Sequence, residues 1–335
     1  MPQPTLHDVP LDKPKPALRL VKTKDLPRDD WLAVRKQGIG SSDAAAAVGL
    51  NPYQSALELW LIKTNRDGGL PVIDPNDETS PMYWGTMLEH IVAAHYTKRT
   101  GNKVRRINAV LQHPDADKAW MLANIDREIV GASDVQILEC KTAGINGARL
   151  WRDGVPEYVQ VQVQHQLAVT GKAAADVAVL LGGQELRIHR IERDDALISR
   201  LVALERQFWT YVTIDVPPPA DGSDSADMAL RCLYPQDHGR TVDFTQDVAL
   251  STTFADWIAI REVVAGNEAL EATLKQTLQR AMGDATKALF EIGQVTWKKA
   301  KDTVGLDVGR LLQDQPGLAQ QYALPKPGSR RFCVV

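Results

Sequence analysis

The stretch Ile137-Leu138-Glu139-Cys140-Lys141 constrains this chain more than any other, because an acid and a base stand two residues apart inside an apolar run. In an extended strand residues i and i+2 point to one face, so Glu139 and Lys141 share the face that carries Val135 and Ile137. Burying two ionisable groups there costs more than their pairing usually returns. A lone Glu-x-Lys is ordinarily a solvated face, but what precedes this one changes the reading. Residues 119–130 read as a strand, and Gly131-Ala132-Ser133-Asp134 as a turn. A four-residue hairpin loop pairs Val130 with Val135, and the register runs back to set Asp126 opposite Glu139. Like charges directly opposed are destabilising, and two carboxylates held that close need a proton or a cation between them. With oxygen ligands and a lysine beside them, the best cation is Mg²⁺, with Mn²⁺ as a substitute.

Composition narrows the rest. The length of 335 residues fits one large domain or two. A net charge of −3 argues neither for nor against a polyanionic partner. One local basic run exists, Lys98-Arg99 with Lys103, Arg105 and Arg106, and it serves equally as a solvated helix end. Cys140, Cys232 and Cys333 are scattered, with neither a disulfide framework nor zinc spacing. His90 and His95 stand five apart, the wrong interval for one helical face. No signal peptide or apolar span is read, so a reduced cytoplasm is the expected compartment.

Along the chain, prolines at 2, 4, 10, 14 and 16 make residues 1–25 read as a mobile tail. A helix over 28–36 carries Trp31 and Arg35, and a Gly38-Ile39-Gly40 loop leads to Ser41-Ser42-Asp43, a helix N-cap before an alanine run that stops at Gly49. Ser80-Pro81 and Gly101 bound a helix with the stripe Trp84, Leu88, Ile91, Val92 and His95 or Tyr96, and with Glu89 beside it. Strands are expected over 103–112, 119–130 and 135–142, a helix over 156–170, a central strand over 174–181, a strand over 185–191 and a helix over 194–212. This order gives an α/β (α+β) class with a mixed sheet flanked by helices. The expected divisions are a tail (1–25), a core (26–213), a connector (214–247) and a C-terminal extension (248–335). In the extension a helix interrupted near Gly266 precedes a small β element.

Five motifs occur in order: Trp31-x3-Arg35 running into Gly38-Ile39-Gly40-Ser41-Ser42-Asp43; Trp84-Gly85-x3-Glu89; Asp126; Glu139-Cys140-Lys141; and Val161-Gln162-Val163-Gln164. Over about residues 28–213 the chain thereby resembles the lambda exonuclease / YqaJ-type viral recombinase group of the PD-(D/E)XK nuclease superfamily. The resemblance implies a restriction-endonuclease-like core. It implies that Asp126, Glu139 and the Cys140 backbone carbonyl hold the metal, with Glu89 adding to the site. Lys141 and Gln162 would act on the water and the scissile phosphate, with Gln164 in Gln162's place if the register slips. Arg35 and Ser42 would hold a DNA 5′-phosphate, and independent physics adds Ser41, since the Ser41 and Ser42 hydroxyls and backbone N–H groups at a helix start plus an arginine make an anion site.

The implied activity is a Mg²⁺-dependent phosphodiesterase that degrades double-stranded DNA from its ends, 5′ to 3′, leaving 3′ single strands for a phage annealing protein. A homo-oligomeric, trimeric ring encoded by a phage or prophage in a bacterial cytoplasm is implied by the resemblance alone. Two alternatives stand beside it, a same-fold endonuclease and a non-catalytic DNA-end binding module.

Overall fold

The structure, a computed structural model, describes residues 16–72, 74–325, 328 and 330–334. The chain forms two compact units, one running to Pro235 and one starting at Gln236. The first contains β1 (Leu18–Lys22), α1 (Arg28–Lys36), α2 (Ala44–Ala47), α3 (Ala56–Lys63), α4 (Pro81–Thr100), β2 (Lys103–Arg105), β3 (Ala109–Gln112), β4 (Leu122–Ala123), β5 (Arg127–Val130), β6 (Ile137–Ala143), α5 (Glu157–Thr170), β7 (Ala174–Leu181), β8 (Glu185–Glu192), α6 (Asp195–Thr213) and α7 (Asp224–Leu233).

Five strands make the main sheet, in the order β2-β5-β6-β7-β8. The β6–β7 pair is parallel and the other pairs are antiparallel, so the sheet is mixed. β7 is buried along nearly its whole length, as a strand covered on both faces must be. On one face α4 packs Val92, Ala93 and Tyr96 against Leu138, Ala178 and Ile129. On the other, α5 sets Val159, Val163 and Leu167 against Ile137, Val177 and Val179. The helix limits follow from their caps. Ser80 Oγ accepts the Met82 N–H at 3.2 Å, and α4 and α5 stop at left-handed Gly101 (φ 78°) and Gly171 (φ 67°). The hairpin register is the one the sequence dictates, with Arg127 opposite Leu138 and Glu128 opposite Ile137.

Several expectations need correction. Neither 103–112 nor 119–130 is one strand. Each breaks as the chain passes between the main sheet and a second, three-stranded sheet ordered β1-β3-β4, a change of partner that side-chain alternation does not encode. Of the expected tail, residues 18–22 form β1, paired with β3, while 1–15 lie outside the described residues. The expected connector contributes α7, whose Ala229 is buried with Leu57 and Trp60 of α3, so the first unit extends past residue 213. The buried face of α4 is Val92, Ala93 and Tyr96, and Trp84 and Ile91 are exposed. In the second unit α8 (Val248–Met282) runs unbroken through Gly266. It is followed by the antiparallel hairpin of β9 (Lys287–Phe290) and β10 (Gly293–Thr296).

Candidate active site

Asp126 immediately precedes the first residue of β5. Arg127, opposite Leu138, shares the face covered by α4, so one step back along the strand puts Asp126 at the register position opposite Glu139, on the α5 side. The ladder ends there, and the Cys140 N–H that would have continued it donates instead to Asp126 Oδ2 at 2.8 Å. A strand residue's N–H and C=O face the same neighbour, so the Cys140 carbonyl opens to this same edge. The Cys140 side chain packs on the α4 face, where burial pushes its thiol pKa up.

Glu139 is 2 % exposed, and both of its oxygens are held. Oε1 accepts from Lys141 Nζ at 2.7 Å and from Gln162 Nε2 at 2.6 Å; Oε2 accepts from Gln166 Nε2 at 2.7 Å. Gln162 Oε1 in turn accepts from Lys141 at 2.9 Å. Gln162 and Gln166 are four apart on α5 and so present one face to the strand. Between them His165 anchors the helix. Its Nε2 lies 2.9 Å from the Leu122 carbonyl and its Nδ1 2.7 Å from Glu205 Oε1, all fully buried. Burial pushes the imidazole pKa down, but the Glu205 carboxylate outweighs it, so the ring holds its proton above the usual value. Gln164 is turned elsewhere: it donates to the Glu192 carbonyl at 2.8 Å and accepts the Asp194 N–H at 3.1 Å, tying α5 to the start of α6.

The charges do not balance. Burial and then the Glu139 carboxylate raise Asp126 well above the usual carboxylate range, and Glu89 adds to the effect. Burial alone would lower Lys141; its contact with Glu139 reverses that and keeps it an ammonium. Two acids therefore face one ammonium, and the free donors are carboxylate and carbonyl oxygens, the set a hard divalent cation takes. Among the described residues no group of three or more His, Cys, Asp or Glu is arranged to hold a metal. A pair of carboxylates suffices for an ion such as Mg²⁺ that keeps much of its water.

Glu89 is not brought onto this pair. It projects from α4, across the sheet, and its Oε1 makes a short ion pair with Arg127 Nη1 and a longer one, 3.5 Å, with Arg106. Arg127, 6 % exposed, also donates to the Asp126 carbonyl at 2.6 Å. Sequence reasoning missed Arg127, although its place one residue after Asp126 puts it on the α4 side.

A second charged cluster lies on the Gly38–Asp43 loop. Arg35 Nη2 donates to Ser42 Oγ at 2.5 Å and to Asp43 Oδ1 at 2.7 Å. Lys63 Nζ, from α3, donates to Asp43 Oδ2 at 2.6 Å and to the Arg35 carbonyl at 2.8 Å. Asp43 does not cap α2 as the sequence suggests; its carboxylate turns back to accept the Gly40 N–H at 3.0 Å. Burial would raise its pKa, but Arg35 and Lys63 bring it down to about 2. Two cations and one anion leave the cluster with a surplus positive charge.

Ser41 does not join Arg35 and Ser42. It is buried and its hydroxyl donates to the Asn124 carbonyl at 3.4 Å, which also accepts from Gln166 Nε2 at 3.4 Å. The loop is thus fastened two residues from Asp126. Gly38 is required for this approach, because a Cβ there would stand 2.3 Å from the Trp120 carbonyl. That carbonyl takes the Ile39 N–H at 2.7 Å. The signal for Lys63 was absent from the sequence, since it sits in a helix that otherwise reads as apolar.

Comparison with known proteins identifies the family. The family profile described as YqaJ-like viral recombinase domain matches residues 30–173. Over 284 residues, 83 % of this chain and 86 % of the other, the chain is 37 % identical to an uncharacterized protein, YqaJ, of Bacillus subtilis (strain 168). Among solved structures it is similar to an alkaline exonuclease (LHK-Exo) from Laribacter hongkongensis, with 23 % identity and a TM-score of 0.45 over 56 % of this chain and 93 % of that one. It is also similar to a phage related exonuclease from Haemophilus somnus 129PT, with 11 % identity and a TM-score of 0.38 over 55 % of this chain and 99 % of that one.

Proposed function

The chain belongs to the YqaJ-like viral recombinase family, and we propose that within it this protein is a Mg²⁺-dependent deoxyribonuclease acting at the ends of double-stranded DNA. The observation that carries this reading is the opposed pair Asp126 and Glu139 with Lys141 on Glu139. Asp126, Glu139 and the Cys140 carbonyl would hold the ion, which supplies charge neutralisation at the phosphate and a more acidic water. Gln162 and Gln166 fix the Glu139 carboxylate, as outer hydrogen-bond partners orient a ligand. Lys141 brings its ammonium to the phosphate being cut, with Gln162 as the acceptor that aims it. Glu89 acts through Arg127, which grips the Asp126 backbone.

The surplus charge of Arg35 and Lys63, with the Ser42 hydroxyl, suits the 5′-phosphate of the strand being degraded. Anchoring that terminus gives a 5′ to 3′ direction and leaves 3′ single strands. Such tails are substrates for a phage annealing protein, with this chain working as a homo-oligomeric ring on DNA in the bacterial cytoplasm. Among the described residues no helix is long and apolar enough to cross a membrane.

A time course on linear duplex labelled at either end, with Mg²⁺ or a chelator, tests the reading. The 5′ label is expected to be released first, as mononucleotide, and only with the metal. Rapid cutting of closed circular DNA would overturn the requirement for an end, and full activity in chelator would overturn the metal.

A further inference from the structure

A cleft of about 440 Å³ opens where β6 ends, lined by Ile145, Arg149, Arg152, Leu181, Glu185 and Arg187 among others. Ala143, the last residue of β6, accepts at 2.8 Å the N–H of Gly182, which lines the cleft. Leu181 pairs with Ala143 in the parallel ladder, so the cleft lies on the face that carries Glu139 and Lys141. At about 3.3 Å per strand residue, Lys141 and Ala143 are roughly 7 Å apart.

The cleft's lining is strongly cationic. Arg187 is partly satisfied, with Nε 2.7 Å from Glu185 and Nη1 donating to the Trp151 carbonyl at 3.3 Å. Arg149 and Arg152 are exposed, and their guanidinium groups have no hydrogen-bond or ion-pair partner among the described residues. Arg149 lies within and Arg152 just after the short helical turn Gly147–Trp151, which Trp151, 3 % exposed, fixes in the core. Three guanidinium groups against one carboxylate make an anion-binding wall, and unpaired arginines offer the two-pronged geometry that a phosphate accepts. The volume suits about one or two nucleotides.

We propose that this cleft binds the phosphodiester backbone of an unpaired DNA strand leading away from the scissile phosphate, through Arg149 and Arg152. The inference rests on the nuclease reading above and adds a strand-binding subsite to it. The test compares wild type with the Arg149→Glu/Arg152→Glu double variant. Both bind a fluorescent oligothymidylate and a blunt duplex in chelator over a salt series. Hydrolysis of bis-p-nitrophenyl phosphate with Mg²⁺ reports the chemistry without a strand.

The double variant is expected to lose about tenfold or more in affinity for the single strand. Its log affinity should fall less steeply with log salt, by about 1.4, the value for two lost contacts to a single strand. Duplex affinity should change less, and the small diester should be cleaved at the wild-type rate. Unchanged single-strand affinity and salt slope, in a wild type that cuts DNA, overturns the cleft assignment alone. A wild type that neither binds nor cuts DNA overturns the nuclease reading and this subsite with it.

Discussion

Asp43, buried under the Gly38–Asp43 loop, and Asp126, half-buried at the end of β5, belong to the same unit yet titrate in opposite directions. Both suffer the desolvation that raises a carboxylate pKa. At Asp43 two cations, Arg35 at 2.7 Å and Lys63 at 2.6 Å, more than reverse it. At Asp126 the next influence is another carboxylate, and the one ammonium nearby is held by Glu139. The first site carries one positive charge more than its acid balances and works as a clasp between α1, α3 and the loop. The second carries one negative charge more than its ammonium balances, which suits it to the cation proposed above. Local charge count, rather than the presence of a buried acid, separates the two.

The strongest way to break this contrast is to remove the acids of the open site. Glu139→Ala and Asp126→Asn are each expected to slow DNA cleavage at least ~10³-fold, because metal-held charge stabilisation is worth several kcal/mol and each 1.36 kcal/mol is tenfold in rate. Asp126→Asn should leave the metal-free fold intact, since an amide oxygen can still accept the Cys140 N–H. Either variant cutting at a tenth of the wild-type rate would show that the two carboxylates are not a working pair. At the closed site the expected loss is in stability. Asp43→Asn strands Lys63, whose side chain is 2 % exposed, and breaking a buried pair this way costs about 3–5 kcal/mol. Urea unfolding measures it, and a loss below about 1 kcal/mol would mean the clasp is not closed.

The two sites differ as much in how legible they were. Asp126, Glu139 and Lys141 could be placed because strand alternation and a four-residue turn fix both face and register, and these are local rules. Gln162 came from the resemblance, and Gln166, one helical turn on, shares its face. Asp43 sits in a loop whose partners, Arg35 and Lys63, reach it from two different helices, and no periodicity brings them together. The resemblance led to Arg35 and Ser42, while the helix-start argument added Ser41, whose hydroxyl points to Asn124, a contact set by the loop's bridge to β4. The helices over 28–36, 81–100, 157–170 and 195–213 were readable, but α7 lies in a stretch that reads as a connector. The breaks in the two long apparent strands were not, because they depend on which sheet the chain joins next. Gly266 inside α8 misled as well, since a single glycine costs about 1 kcal/mol in a helix and the surrounding Ala, Leu and Glu residues outweigh it.

A sharper contrast comes from adding the missing charge. Mg²⁺ at about 100 times its dissociation constant should stabilise the wild type by about 2.7 kcal/mol, seen as a rise in Tm, and should leave Glu139→Ala unmoved. Asp43→Asn, though weaker overall, should keep the full metal increment. An equal rise in wild type and Glu139→Ala would mean the ion binds elsewhere.

The smallest effect carries the clearest sign. Asp43 has a folded pKa of about 2 against an ordinary 3.8, so its clasp contributes about 2 kcal/mol. That contribution is present above pH 3.8 and is lost as pH falls toward 2. Asp126 has its folded pKa above 3.8, so its contribution in metal-free protein is present below 3.8 and is lost as pH rises through the folded value. The stability gap between wild type and Asp43→Asn should therefore narrow by about 2 kcal/mol on acidification. Over the same series, Asp126→Asn should gain on the wild type as pH rises. Urea titrations of the three metal-free proteins from acid to neutral pH separate these slopes. Parallel stability curves for the two variants would mean that both aspartates sit in the same electrostatic surroundings, and the distinction between the cation-rich clasp and the acid-rich pair would fall.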